Sequence, residues 1–162
     1  MTTDEEFMQL AIEQAQLAFD AGEVPVGAIV VLNGEVIGRG FNQPITQCDP
    51  SLHAEMVAVR DAAKNVGNYR LKDAELFVTI EPCTMCAGLL MHARIGRLIY
   101  GATEPKAGVI ESATQLYDQP FYNHVIEVKK GVLAEEASAI MSRFFQYRRD
   151  QKKKLKQQSA KQ

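Results

Sequence analysis

The sequence predicts a layered α/β domain, with helices covering both faces of a central mixed sheet of about five strands in a three-layer α/β/α arrangement. Three observations carry this expectation. Strand and helix patterns alternate through the middle of the chain, an Asn-Gly pair marks a hairpin near its start, and 162 residues suffice for one hydrophobic core.

The first element is an amphipathic helix. Thr3 followed by Glu6 has the pattern of a capping box, Phe7, Leu10, Ala11, Gln14, Leu17 and Ala18 recur mostly at helical spacing, and Gly22 ends the run. Val26 to Leu32 and Glu35 to Phe41 are rich in β-branched residues and flank Asn33-Gly34, so they read as two antiparallel strands at one edge of the sheet. Asp49-Pro50-Ser51 punctuates the chain before a helical pattern from about Leu52 to Val66, which Gly67 stops. Glu75 to Ile80 reads as a buried strand, Cys83 to Ala93 as a helix entered through Pro82, and Arg97 to Tyr100 as another strand. Beyond Gly101 the pattern is irregular until a short strand, Val125 to Val128, and a helix from about Ala134 to Arg149. Residues 1–150 are expected to form the domain and 151–162 a basic tail, either disordered or continuing the last helix.

Composition is ordinary for a soluble globular protein, with 46% hydrophobic and 23% charged residues. No apolar stretch is long enough to span a bilayer and no leader pattern opens the chain, so a cytoplasmic protein with no membrane partner is expected. The net charge of −2 hides an asymmetry: the first 142 residues hold ten basic and nineteen acidic residues, and the last twenty hold eight Lys/Arg against Asp150 alone. That basic end reads either as a solvated tail or as a nucleic-acid contact. Three cysteines in a reducing compartment point to metal binding or catalysis before disulfides.

The chemistry concentrates in His53-Ala54-Glu55 and Pro82-Cys83-Thr84-Met85-Cys86, each placed where the chain enters a helix. Cys83 and Cys86 lie one helical turn apart, so both sulfurs can face one point, and a helix N-terminus favours thiolate. With His53 they make three protein ligands for a tetrahedral zinc, one ion per chain, and leave the fourth position to water, as in catalytic sites. Glu55, two residues beyond His53, is poorly placed to ligate but could act as the proton shuttle. Either half alone is weak: C-x-x-C also occurs in redox pairs and in half of structural zinc sites. A structural site would need a fourth ligand, and the spare Cys48, His92 and His124 form no second paired motif.

On HAE and PCTMC the chain resembles the cytidine deaminase-like superfamily, and within it the bacterial tRNA-specific adenosine deaminases of the TadA type. Similar stretches include Glu23-Val24-Pro25-Val26-Gly27-Ala28, Asn68-Tyr69-Arg70-Leu71, Gly131-Val132-Leu133-Ala134-Glu135-Glu136 and Phe144-Phe145-Gln146-Tyr147-Arg148-Arg149, spread over nearly the whole chain. The resemblance implies the cytidine deaminase-like fold, zinc on His53, Cys83 and Cys86, Glu55 as proton shuttle, a base-contacting Asn42, and a homodimer that converts the wobble adenosine of a tRNA anticodon to inosine. It departs at Val109 to Ala113, where the family has a run of small residues followed by Ser-Leu, and at Val125, where an Arg is common.

The leading functional expectation is therefore deamination of adenosine in a tRNA anticodon stem-loop. Candidate substrate contacts are Asn42, Glu104, Lys106, Phe144, Arg148 and Arg149, with aromatic stacking and phosphate pairing on the terminal helix. The alternatives are a deaminase of free guanine, cytosine or cytidine, and a non-catalytic zinc-stabilised RNA-binding module, which would not need Glu55.

Overall fold

A computed structural model of the chain describes residues 1–161, in which five strands form one sheet of order β2-β1-β3-β4-β5. The elements are α1 (Thr3–Asp20), β1 (Gly27–Leu32), β2 (Glu35–Phe41), α2 (Ala54–Val66), β3 (Glu75–Ile80), α3 (Thr84–His92), β4 (Arg97–Ala102), β5 (Glu127–Lys129) and α4 (Ala134–Ala160). β1 runs antiparallel to β2 and β3, whereas β3, β4 and β5 are mutually parallel. The sheet is mixed and the hairpin strand β2 forms its antiparallel edge. At the hairpin turn Asn33 and Gly34 both have positive φ, 51° and 78°, as a tight two-residue connection requires.

Side-chain alternation along the central strands assigns the layers. Ile29, Val31, Phe77 and Ile99 pack with Met8 and Ala11 of α1. Ala28, Val30, Leu76, Val78, Leu98 and Tyr100 pack on the other face with Ala54, Ala58 and Ala62 of α2 and Leu90 of α3. α4 shares the α1 face, where Phe144 meets Phe19 edge-on at 5.4 Å between ring centroids. At 1% exposure Phe144 belongs to the core, so the expectation that it stacks on substrate is corrected. Its position on the inward stripe of α4, with Ile140, is what the helical period demands.

Several local readings also shift. The capping box is formed by Thr2 and Glu5 rather than Thr3 and Glu6: the Glu5 N–H donates to Thr2 Oγ1 at 3.2 Å, and Thr2 Oγ1 donates to the Glu5 carboxylate at 2.9 Å. β4 extends to Ala102, and β5 starts at Glu127 because Val125 is 86% exposed and stands outside the ladder. α4 continues through the basic stretch to Ala160. No described helix is long and apolar enough to cross a membrane.

Helix α2 lies unusually close to its strand. A Cβ on Gly38 would sit 2.4 Å from the Ala58 carbonyl oxygen, and one on Gly40 would sit 2.5 Å from both Ala54 O and Ala58 N. Glycine on β2 facing alanine on α2 lets the two backbones touch, which sets the position of the helix N-terminus where His53 stands.

Candidate metal centre and active site

Two helix N-termini meet at the carboxyl end of β3. His53 is the N-cap of α2 and Cys83 the N-cap of α3, and neither side chain caps its own helix, which leaves both free to turn into the space between. The Asn42 side-chain oxygen Oδ1 caps α2 instead, accepting from the Ala54 N–H at 2.8 Å. Asn42 follows β2 directly, so the strand, the cap and the helix start are tied together.

His53 Nδ1 lies 3.5 Å from Cys83 Sγ and 3.7 Å from Cys86 Sγ, and the three ligand atoms all fall within 4.8 Å of one another. A tetrahedral zinc bonded at ordinary Zn–S and Zn–N lengths holds sulfur and nitrogen about 3.6 Å apart, so the donor set fits that ion without rearrangement. Among the described residues no fourth Cys, His, Asp or Glu joins the group. The cysteines are electrostatically unequal. The Cys86 thiol, together with His53, stabilises the Cys83 thiolate and brings its pKa down to about 3. The same bond to Cys83, with burial, pushes the Cys86 thiol upward. His53 is raised by its bond to Cys83.

Glu55 is in the first turn of α2 and is 4% exposed. Burial pushes its carboxyl up to about 7, a value suited to taking and giving protons near neutrality. It stands outside the ligand set, next to Cys83 and Cys86.

The other expected contacts are placed less uniformly. Glu104 is half-buried and its carboxylate accepts from the Ala107 N–H, closing the turn that exposes Lys106. Arg148 lies over the Phe144 ring at 5.2 Å, and Arg149 donates to Gln146 at 2.7 Å, both on the exposed side of α4. The exposed aromatics there are Phe145 and Tyr147.

Sequence reasoning missed two buried carboxylates. Glu23, with no exposed surface, accepts from Thr46 N at 2.7 Å and Ile45 N at 3.2 Å, holding the segment that leads to His53. Glu81, 3% exposed, accepts backbone N–H bonds from Glu104, Ile110, Glu111 and Ser112 at 2.8–3.1 Å and the Ser112 hydroxyl. The available signal was an acidic residue closing the apolar strand 75–80 just before Pro82-Cys83. The bulky Val109–Ala113 segment is also tied down by Tyr100, whose hydroxyl donates to Glu111 at 2.5 Å, and by Lys130, 2.7 Å from the same carboxylate.

Residues 1–102 match the family model of the cytidine and deoxycytidylate deaminase zinc-binding region. The chain is 50% identical over 151 residues to a tRNA-specific adenosine deaminase of Haemophilus influenzae, covering 93% of this chain and 87% of that protein. It is 42% identical to that of Bacillus subtilis, covering 94% and 95% respectively. A solved structure from a study of A-to-I editing by tRNA:A34 deaminases at the wobble position superposes with a TM-score of 0.81 at 43% identity, covering 83% of this chain and 98% of that one. The chain thus belongs to the tRNA-specific adenosine deaminases, a family built on the zinc-binding deaminase domain.

Proposed function

We propose that this chain is a cytoplasmic, homodimeric enzyme that hydrolyses adenosine to inosine at the wobble position of a tRNA anticodon, with Glu55 as its proton shuttle. The observation that carries the chemistry is a buried carboxylate beside a His-Cys-Cys cluster of zinc dimensions, in a chain half identical to a tRNA-specific adenosine deaminase. Zinc held by His53, Cys83 and Cys86 would supply a Lewis acid with one position open to water, whose pKa it lowers from ~15.7 toward ~7. Glu55 would accept one proton of the water that adds to the purine C6 and deliver it to the ring nitrogen, then take the second proton from the new C6 hydroxyl and pass it to the amine, which leaves as ammonia as C6 becomes a carbonyl. Its burial keeps it from competing solvent, and its place beside the metal donors but outside the ligand set leaves it free to move protons.

Asn42 has its oxygen committed to Ala54, so its amide NH2 is the group offered to the base. Glu104 holds its own turn and sets Lys106 in solvent, a suitable place for a phosphate. Of the three aromatics on the terminal helix that the sequence offers for stacking, Phe145 and Tyr147 keep that role while Phe144 is buried, with Arg148 and Arg149 beside them for backbone phosphates. Exposed Phe121 and Val125, 67% and 86% accessible, support a second copy as partner.

The test incubates the zinc-loaded protein with the tRNA pool, an anticodon stem-loop, and free adenosine, cytidine, cytosine and guanine. Inosine at the anticodon is expected, with little turnover of the free compounds. Rapid deamination of a free base alongside untouched tRNA would overturn the substrate and leave the metal chemistry intact. Sedimentation of the purified chain reads the dimer.

A further inference from the structure

We infer that Glu81 is a positioning residue that fixes the path of residues 104–117 over the turn that holds Cys83 and Cys86, and thereby governs affinity for the RNA substrate. The inference deepens the reading above and rests on it for the substrate. Glu81 follows the last residue of β3 and precedes Pro82 and the ligand Cys83. It is buried, and among the described residues it pairs with no Lys or Arg. Its charge is met by four backbone N–H groups and one hydroxyl, all from 104–112: Oε2 accepts from Ile110, Glu111 and Ser112, and Oε1 from Glu104 and the Ser112 hydroxyl. None of these bonds goes to His53, Cys83, Cys86 or Glu55, so the carboxylate faces the segment and turns away from the metal donors.

Two further bonds carry the segment across the start of α3. The Val109 N–H donates to the Pro82 carbonyl at 3.0 Å, and the Tyr117 hydroxyl donates to the Ala87 carbonyl at 2.9 Å. The turn that holds both cysteines is therefore spanned by a strap fastened on either side of it, with Glu81 as the densest fastening. The strap also carries Glu104 and Lys106. Gly108 provides independent evidence of how closely it is drawn in: a Cβ there would lie 2.4 Å from Glu81 Cδ, 2.5 Å from Oε1 and 2.6 Å from the Glu104 carbonyl oxygen.

The experiment compares wild type, Glu81→Gln, Glu81→Ala and Gly108→Ala as zinc-loaded full-length protein, reading residue-resolved amide exchange, zinc content, and steady-state and single-turnover deamination of an anticodon stem-loop. Glutamine keeps one oxygen for the three N–H groups at 110–112 but turns its NH2 toward the Glu104 N–H. Exchange at Glu104 should therefore rise in Glu81→Gln while 110–112 stay protected, and all four amides should be released in Glu81→Ala. Gly108→Ala, which attacks the same contact from the other side, should release Glu104 as well. KM should rise about tenfold in Glu81→Gln and further in Glu81→Ala, with the saturated single-turnover rate within about threefold of wild type and one zinc retained. If Glu81→Ala fails to fold, the glutamine and Gly108 variants carry the test. Unchanged amide exchange, loss of zinc from folded Glu81→Gln, or a fall in the saturated rate at constant KM would overturn the inference. Released amides in the variants, with RNA deaminated neither by them nor by zinc-loaded wild type, would support the strap and overturn the substrate reading instead; loss of deamination in the variants alone would overturn the inference.

Discussion

The metal corner and the outer face of α4 are built by opposite means. At the corner, His53 and Cys83 are held at helix N-termini, α2 is pressed onto β2 with no side chain at Gly38 or Gly40 between them, and Glu55 is sealed from solvent. Along α4, Arg148, Arg149 and Tyr147 are exposed, and beyond Asp150 the helix projects without buried residues. Chemistry at the corner depends on where backbones lie, to within a fraction of an ångström. Recognition along α4 depends on the charge and rings that the side chains offer, which tolerate movement.

The contrast predicts a descending series of effects. Glu55→Gln should keep its zinc and fold yet lose on the order of 10²–10⁴-fold in deamination rate, because only the proton path is removed. Metal analysis and inosine formation on the same sample check it, and near-normal turnover would remove Glu55 from the mechanism. Gly40→Ala should destabilise the protein by about 1–3 kcal/mol, since its methyl must displace the α2 backbone, and should loosen zinc although it contacts no ligand. Denaturant midpoints with and without a chelator report both. Replacing Arg148 and Arg149 together by alanine should raise KM for the stem-loop about tenfold, lower the salt slope of binding by about 2 and leave the denaturant midpoint unmoved. A change in thermal stability with constant salt slope would place those arginines in the fold.

The smallest effect concerns acid. Asp4 is paired with Arg97 and Lys129, both at 2.7 Å, and the Arg97 bond lowers its pKa from 3.8 to about 2. A carboxylate whose folded pKa is depressed contributes stability that is full above about 4 and is lost as pH falls toward 2. Asp4→Asn should therefore cost about 1 kcal/mol or less at pH 7 and flatten the decline between pH 4 and 2, as read from urea midpoints.

Period and punctuation made the central fold legible. Near-continuous apolar runs at 28–31 and 76–80 mark strands buried on both faces, and Asn33-Gly34 marks the turn, all from local chemistry. HAE and PCTMC were legible as a site because ligand spacing within a helical turn is also local. What stayed hidden depends on long-range pairing. Phe144 could not be separated from Phe145 by composition, since only the angular position on α4 against Phe19 buries one and exposes the other. The partners of Glu81 and Glu23 stayed hidden because they are backbone N–H groups about twenty to thirty residues away, which leave no mark on residue type.

The use of main-chain donors at Glu81 bears on how such a protein can diversify. A strap held by side-chain pairs would need two matching changes whenever its sequence varied. Here three of the four bonded amides belong to residues 110–112, and an amide is the same whichever side chain follows it, proline apart. The side chains of Ile110 and Glu111 can therefore be exchanged without the chain losing its course. Substitution along residues 110–112 is thereby uncoupled from the residues placed for the hydrolysis, because one carboxylate in the β3–α3 connection holds the strap through its main chain alone.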